Sequence, residues 1–581
     1  MSDNNHYYQE IMTMNKSYDD TFNALYKLKT YKEDEINKIF EDIKTNLIEK
    51  EAFSPSQMCK IVANIARHRN KYFKSYWTIF KKIYNQYQPI SINKIDSVFD
   101  YFMNKEYGII FNKSNKQYFE QFETEKYSLE VHEPGTIYRA IMDDDKISFI
   151  TFINCIGFDK DKMLQSGFYP DSDKGYSLLE LCCYHGSVDC FKLLRTEFNS
   201  QITDKCLAFA FLSESKEIMS ECLKVADPVT YGDVNSVITK LPNDNCMEYA
   251  LISHNIDLVT YLIDECHMEL DLLLCGKYHN LQAFSAYLDR EKKIDECFAF
   301  SPLFNIPSLC EYLLSQGANI KYEPITTQSA LYYSAISDNK ITAEFLISHG
   351  VPLYSKALIK PPLCIAAEYD SSGVVDILLS HDPHKNVPYH DFEQPIHIAA
   401  DNNCVETVKV LLSHHVPINA RGQNRMFTPL HCAARKNCVE MAEYLISQKA
   451  IIDAQDRDKQ TPLFLAAWND NAEVLETLIS HGANVNIRNN KGATPIHVGA
   501  TRLCKRVGCI LLSHGANVNA KDDEGSTPLH YAATFGNEKM VKYFLEHGAK
   551  KNAVDSSRKM PYQLAFDPEL KKLLTPRSSK C

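Results

Sequence analysis

The chain of 581 residues holds only two tryptophans, and no apolar run approaches the ~18 residues that a membrane-spanning helix needs. None of its nineteen cysteines forms a Cys-x-x-Cys pair, and their odd number reads as reduced, mostly buried thiols. No GxGxxG, Gly-rich Lys-Ser/Thr loop or His-Glu-x-x-His is present, nor a kinase catalytic loop or Gly-x-Ser-x-Gly elbow. Without these motifs the chain is expected not to be an enzyme and to need no cofactor or small-molecule substrate. The formal charge of −11 argues against a generic nucleic-acid binder. The opening "MSDNNHYYQEIM" has neither a basic stretch nor an apolar one of the kind a secretory signal carries. A cytoplasmic protein is expected, with a nuclear one open. Apolar residues make up 45%, as in folded proteins, and the length exceeds one compact core. Several domains or one elongated array are implied.

What is present is a period. "SHGANVNIRNNKGATPIH" (480–497) returns as "SHGANVNAKDDEGSTPLH" (513–530), 33 residues on. The threonine of that phrase falls at Thr428, Thr461, Thr494 and Thr527, and weaker copies sit at Gln394, Pro361 and Ser329. Self-similarity at this spacing marks a stacked repeat. Within a copy, Thr527 suits an N-cap and Pro528 the first helical position. Gly536 suits a helix stop, and Val541, Phe544 and Leu545 recur at helical spacing. Paired small residues, such as Ala433-Ala434 and Ala466-Ala467, allow first helices to approach closely.

These features, with "TPLHCAA", "TPLFLAAW" and "TPIHVGA" in register, resemble ankyrin repeats over about 325–556. The resemblance implies an all-α solenoid of helix pairs with short β-hairpin fingers, working as a protein–protein scaffold or adaptor for an unidentified protein partner. Upstream, "SLLELCCYHGSVDCFKLL", "CLAFAFLSESKEIMSECLK", "CMEYALISHNIDLVTYLID" and "LLLCGKYHNLQAFSAYLD" keep the helix–turn–helix spacing. Their steps of about 25–26 residues leave no room for a finger. They resemble an uncharacterised domain that precedes ankyrin arrays in an expanded set of protist proteins. The expected organisation is a helical N-terminal region at 1–130, degenerate fingerless repeats at 131–320, and an array with a C-terminal cap at 321–575. The first of these is read as a helical cap on the open end of the stack, since terminal units need a soluble outer face. "TIYRAIMDDDKISFITFI" reads as one more worn copy.

Two constellations invite chemistry. Histidines recur twenty residues after the anchor (His349, His381, His414, His481, His514, His547) and three after it (His397, His431, His497, His530). Stacked repeats set equivalent residues about 8–10 Å apart, too far for one metal ion. The first series is therefore expected at helix ends and the second on turn backbone, with no metal bound. The segment 67–84, "RHRNKYFKSYWTIFKKIY", interleaves cations with aromatics and carries an alternative reading as a nucleic-acid or membrane-surface site. Its aromatics also fall at helical spacing, which favours a core.

In proteins of the family resembled, ligands meet the finger tips and the end of the first helix, on the concave side. By register those slots hold Asn424, Arg425, Phe427, Arg435 and Lys436 around Thr428. Around Thr461 they hold Arg457, Asp458, Gln460, Trp468 and Asn469, followed by Lys491 and Arg502 in the next unit. The glycine expected two residues before the anchor is replaced by Met426 and Lys459, which predicts distorted tips there.

Overall fold

A computed structural model describes residues 6–92, 94–170, 174–224, 243–322, 329–353, 360–381, 394–501 and 506–576. They belong to two compact units, Met1–Val351 and Pro352–Cys581. Both are helical, and the one sheet among the described residues is a two-stranded antiparallel pair, Met163–Leu164 with Tyr176–Ser177.

In the C-terminal unit each repeat is a first helix opened by proline and a longer second helix. Examples are Pro429–Arg435 with Val439–Ser447 and Pro462–Trp468 with Ala472–Ser480. The proline sits where no backbone N–H is required, and the threonine before it has the extended conformation of an N-cap. Ala433, Ala434, Ala466 and Ala467 have no exposed surface, so first helices stack through methyl groups. A worn last pair, Pro561–Leu564 with Pro568–Leu574, closes the array.

The fingers correct the expectation of β-hairpins. Those opening at Asp456, Asn489, Asp522 and Asp555 are tight turns with one backbone rung, as in Asp456 N–H to Gln460 O at 2.9 Å and Asn489 N–H to Ala493 O at 2.9 Å. Five-residue turns leave no length for a strand ladder. The side chains of Asp456, Asn489 and Asp522 fold back to accept from backbone N–H groups inside their own turns. Successive tips are joined by single bonds: Arg457 N–H to Arg425 O, Asn490 to Asp458, Asp523 to Lys491 and Ser556 to Glu524. Lys459 does not distort its tip. It takes the left-handed conformation (φ 54°) that Gly492 and Gly525 take in the next two fingers. The Met426 finger does differ, with Gly422 N–H closing a longer turn onto Phe427 O.

First helices end on a residue with positive φ, which is glycine at Gly536 (φ 68°) and asparagine or aspartate in other copies. Asp370 (φ 61°), Asn403 (58°) and Asn437 (59°) each accept a hydrogen bond from the start of the next repeat's second helix, at Thr407, Met441 and Val474. The side chain that ends one helix thus caps another.

The N-terminal unit repeats this scheme without the array's fingers. Thr136 caps Ile137–Asp143, Asp144 ends it at φ 53°, and Asp144 in turn caps Val188–Phe198, so the worn copy is a true one. Further first helices are Leu178–His185, Asp204–Ser213, Asp244–Ser253, Leu272–Lys277, Ile294–Phe300 and Ala330–Ser337. Between Asp204 and Ala330 the described residues are helix or loop. The spacing is less even than the expected 25–26: successive starts from Leu178 lie 26, 40, 28, 22 and 36 residues apart, and 225–242 within the longest step lie outside the described residues.

The N-terminal helices do not form a cap confined to one end of the stack. They include Lys16–Tyr26, Glu33–Ile43, Pro55–His68, Phe73–Tyr87 and Ser97–Tyr107. Ile36, Ile39, Phe40, Ile43 and Leu47, spaced along one helical face, are buried, and Ser54 and Gln57 form a capping box. These helices run along the ends of the first helices, from Met142 to Ser337. First-helix ends leave carbonyls without partners, and donors from the N-terminal region fill them.

Candidate functional site

The ends of the first helices form one row of equivalent positions in each unit. In the N-terminal unit the row is taken up by the chain's own helices. Lys71 Nζ reaches Met142 O (2.8 Å) and Asp143, and Arg69 Nη1 donates to Leu212 O (2.9 Å) with Nη2 3.5 Å from Glu214. Gln57 Nε2 donates to Ser337 O (2.8 Å). Tyr26 stacks on His254 (centroids 4.1 Å) and Phe22 on His279 (4.3 Å). Both imidazoles are pushed down to about 3 by burial, hence neutral.

The alternative site at 67–84 is inconsistent with this arrangement. Phe73, Tyr76, Trp77 and Phe80 are core residues at no more than 1% exposure, so these four rings are not presented to a base or a lipid. The cations are engaged as well: Arg67 with Asp96, Lys74 with Glu130 and Lys81 with Glu106. The helical spacing of the aromatics reported a core.

In the array the same row is open. Tyr369 (46% exposed), Trp468 (48%) and Phe535 (59%) stand on it with Lys436 and Asn469, which are also exposed. Trp468 is the last residue of Pro462–Trp468, and Arg435 occupies the equivalent place on the neighbouring Pro429–Arg435. Asn424, Arg425, Arg457, Asp458 and Lys491 are exposed at the finger tips, Gln460 is half-buried, and Arg502 lies outside the described residues.

Phe427 departs from its slot: it is 5% exposed and belongs to the interior. Its ring lies 6° from parallel on His431, with the guanidinium groups of Arg425 and Arg435 at 5.8 and 5.6 Å from its centroid. Arg435 also pairs with Asp401. Phe427 is therefore the support on which two arginines are laid, a role its register alone did not reveal.

The histidines are structural. His431, His497 and His530 accept the anchor threonine's own N–H at Nδ1 (3.1, 3.1 and 3.0 Å). Their Nε2 then donates to the next finger at Gln460 O, Ser526 O and Lys559 O. A donor on one nitrogen and a carbonyl on the other fix the neutral Nε2–H tautomer, and burial pushes His431 down to about 4. In the other series, Nδ1 of His349, His481, His514 and His547 donates to the carbonyl four residues back. His414 instead meets Asp376 at 2.7 Å. Among the described residues no cluster of three or more His, Cys, Asp or Glu could hold a metal. Cys182 and Cys183 are buried with thiols pushed up by desolvation, and His185 is bonded to Tyr169.

Helix pairs stacked through alanine and tied by finger turns define a repeat solenoid. Residues 363–456, 396–489 and 463–555 match the model for ankyrin repeats in three copies. Residues 198–287 match a domain of unknown function, DUF3447. Residues 363–555 thus match ankyrin repeats, and the match to the domain of unknown function lies ahead of them. The chain is also similar to alpha-latrocrustotoxin-Lt1a of Latrodectus tredecimguttatus, 35% identical over 120 residues. That match covers 20% of this chain and 8% of the toxin, so the chain spans a small part of that relative's length. Among the described residues no helix is long and apolar enough to cross a membrane.

Proposed function

We propose that the protein is a non-catalytic scaffold or adaptor that binds another protein on the row of first-helix ends in its array, between the helices and the finger tips. One observation carries this reading. The positions that hold the chain's own helices in the N-terminal unit present Tyr369, Lys436, Trp468 and Phe535 to solvent in the array. Exposed tryptophan beside arginine is the composition of an interface anchor. The finger tips, tied one to the next, supply a stiff flank that loses little freedom on binding.

Photo-crosslinking in the native cell tests it. A benzophenone amino acid at Asn469 or Phe535 is expected to give a discrete protein adduct, and one at Glu476 or Lys542 on second helices is not. Adducts from the second-helix positions alone would place the interface on the opposite side.

A further inference from the structure

The two rows share geometry but differ in charge. In the N-terminal unit the row offers Asp143 and Glu214, and the helices lying on it answer with Lys71, Arg69 and Lys29. Around Pro429–Arg435 and Pro462–Trp468 the array's row and flanking tips carry Arg425, Arg435, Lys436, Arg457 and Lys459, within a chain of net charge −11. The facing anions do not cancel this. Asp401 is paired with Arg435, and Asp456 turns its carboxylate into its own finger, which leaves Asp458 at the tip. Arg425 and Arg435 lie over the buried Phe427 ring; Arg435 is held by Asp401, while the stacking orders the exposed Arg425 guanidinium with its N–H edge toward carboxylates in solution. Trp468, 48% exposed, adjoins them on the next first helix.

We infer that the array's occupant is an acidic segment with an apolar or aromatic residue, its carboxylates on Arg425, Lys436 and Arg457 and its apolar side chain on Trp468. This rests on reading the row as a protein-binding surface and adds the chemistry of the partner.

The test uses the full chain as bait for random 16-residue peptides displayed on phage. Enriched sequences should be rich in Asp and Glu with at least one aromatic or large aliphatic residue. A synthetic peptide of the leading sequence should bind at least tenfold more weakly to Trp468→Ala and to Arg425→Glu/Lys436→Glu. It should weaken as salt rises from 0.15 to 0.5 M, while Lys542→Glu, the same reversal on a second helix, leaves binding unchanged. Circular dichroism of each variant confirms that it is folded. Neutral or basic peptides whose binding is lost in Trp468→Ala would overturn the acidic chemistry and leave the row as the site. Peptides indifferent to all the row variants would overturn the site as well. Failure to enrich acidic binders overturns the proposal.

Discussion

Asn437 does two jobs at the junction of two repeats, and two substitutions separate them. It ends Pro429–Arg435 with φ 59°, and its Oδ1 accepts from Val474 N–H at 3.2 Å while Nδ2 donates to Glu473 at 2.9 Å. Losing an N-terminal cap costs about 1 kcal/mol, and a residue with a Cβ in the left-handed region costs roughly another 1 kcal/mol unless it is Asn or Asp. Asn437→Ala loses both and should destabilise the array by about 2 kcal/mol. Asn437→Gly keeps the backbone conformation and should lose about 1 kcal/mol. Urea unfolding gives the totals, and hydrogen exchange of the Val474 amide reads the cap directly, with faster exchange expected in both variants. If glycine costs as much as alanine, left-handed strain is not part of the balance. If neither moves the Val474 amide, the hydrogen bond across the junction contributes nothing.

Four further outcomes follow from the same geometry. Gly276→Ala would place a Cβ 2.4 Å from Leu303 Cβ, which is fixed to its backbone, and should cost about 1–3 kcal/mol. Gly508→Ala meets only the thioether end of Met540 and should stay within about 0.5 kcal/mol of the parent in the same urea titration. Lys459→Gly should raise the array's stability by roughly 1 kcal/mol by relieving φ 54°, and a lower unfolding midpoint would contradict it. His431 is held near 4 in the fold against about 6.5 when unfolded, so the unfolded chain takes the proton first and stability is lost as pH falls below 6.5. Between pH 7 and 5 this amounts to about 2 kcal/mol, which urea midpoints should show and which His431→Gln should remove.

The array was legible because each copy spells out its own local chemistry: threonine before proline, paired alanines, a residue fit for positive φ. Those signals act within a few residues, and repetition multiplies them. The histidine roles were legible for the same reason, since Thr428 and His431 are three residues apart. Phe427 was not, because its slot specifies a place on the backbone while an aromatic ring turns toward the apolar side. The site of the N-terminal helices was beyond sequence reading altogether. Gln57 to Ser337 spans 280 residues, and no period connects them.

The two units couple their repeats in different ways, which predicts how each responds to truncation. Array repeats are tied to their neighbours by the finger-tip bonds, the histidine bonds and the asparagine caps, all of which act between adjacent copies. From Asp204 to Ala330 the described residues of the N-terminal unit have no comparable finger, and Arg69, Lys71 and Gln57 run across several first-helix ends instead. The N-terminal helices there replace the fingers as the tie. Deleting residues 1–130 would strip Phe22 and Tyr26 from the His279 and His254 rings and leave carbonyls at Met142, Leu212 and Ser337 without those donors. Each large apolar side chain so removed forfeits about 2 kcal/mol of burial, enough in sum to exceed the stability of a typical domain. The truncated protein should lose its N-terminal cooperative transition and become protease-sensitive across 131–351. The array should keep its melt, because its ties are local. A protease-resistant 131–351 in the truncated chain would show that the degenerate repeats hold together by themselves and that the N-terminal helices are an accessory.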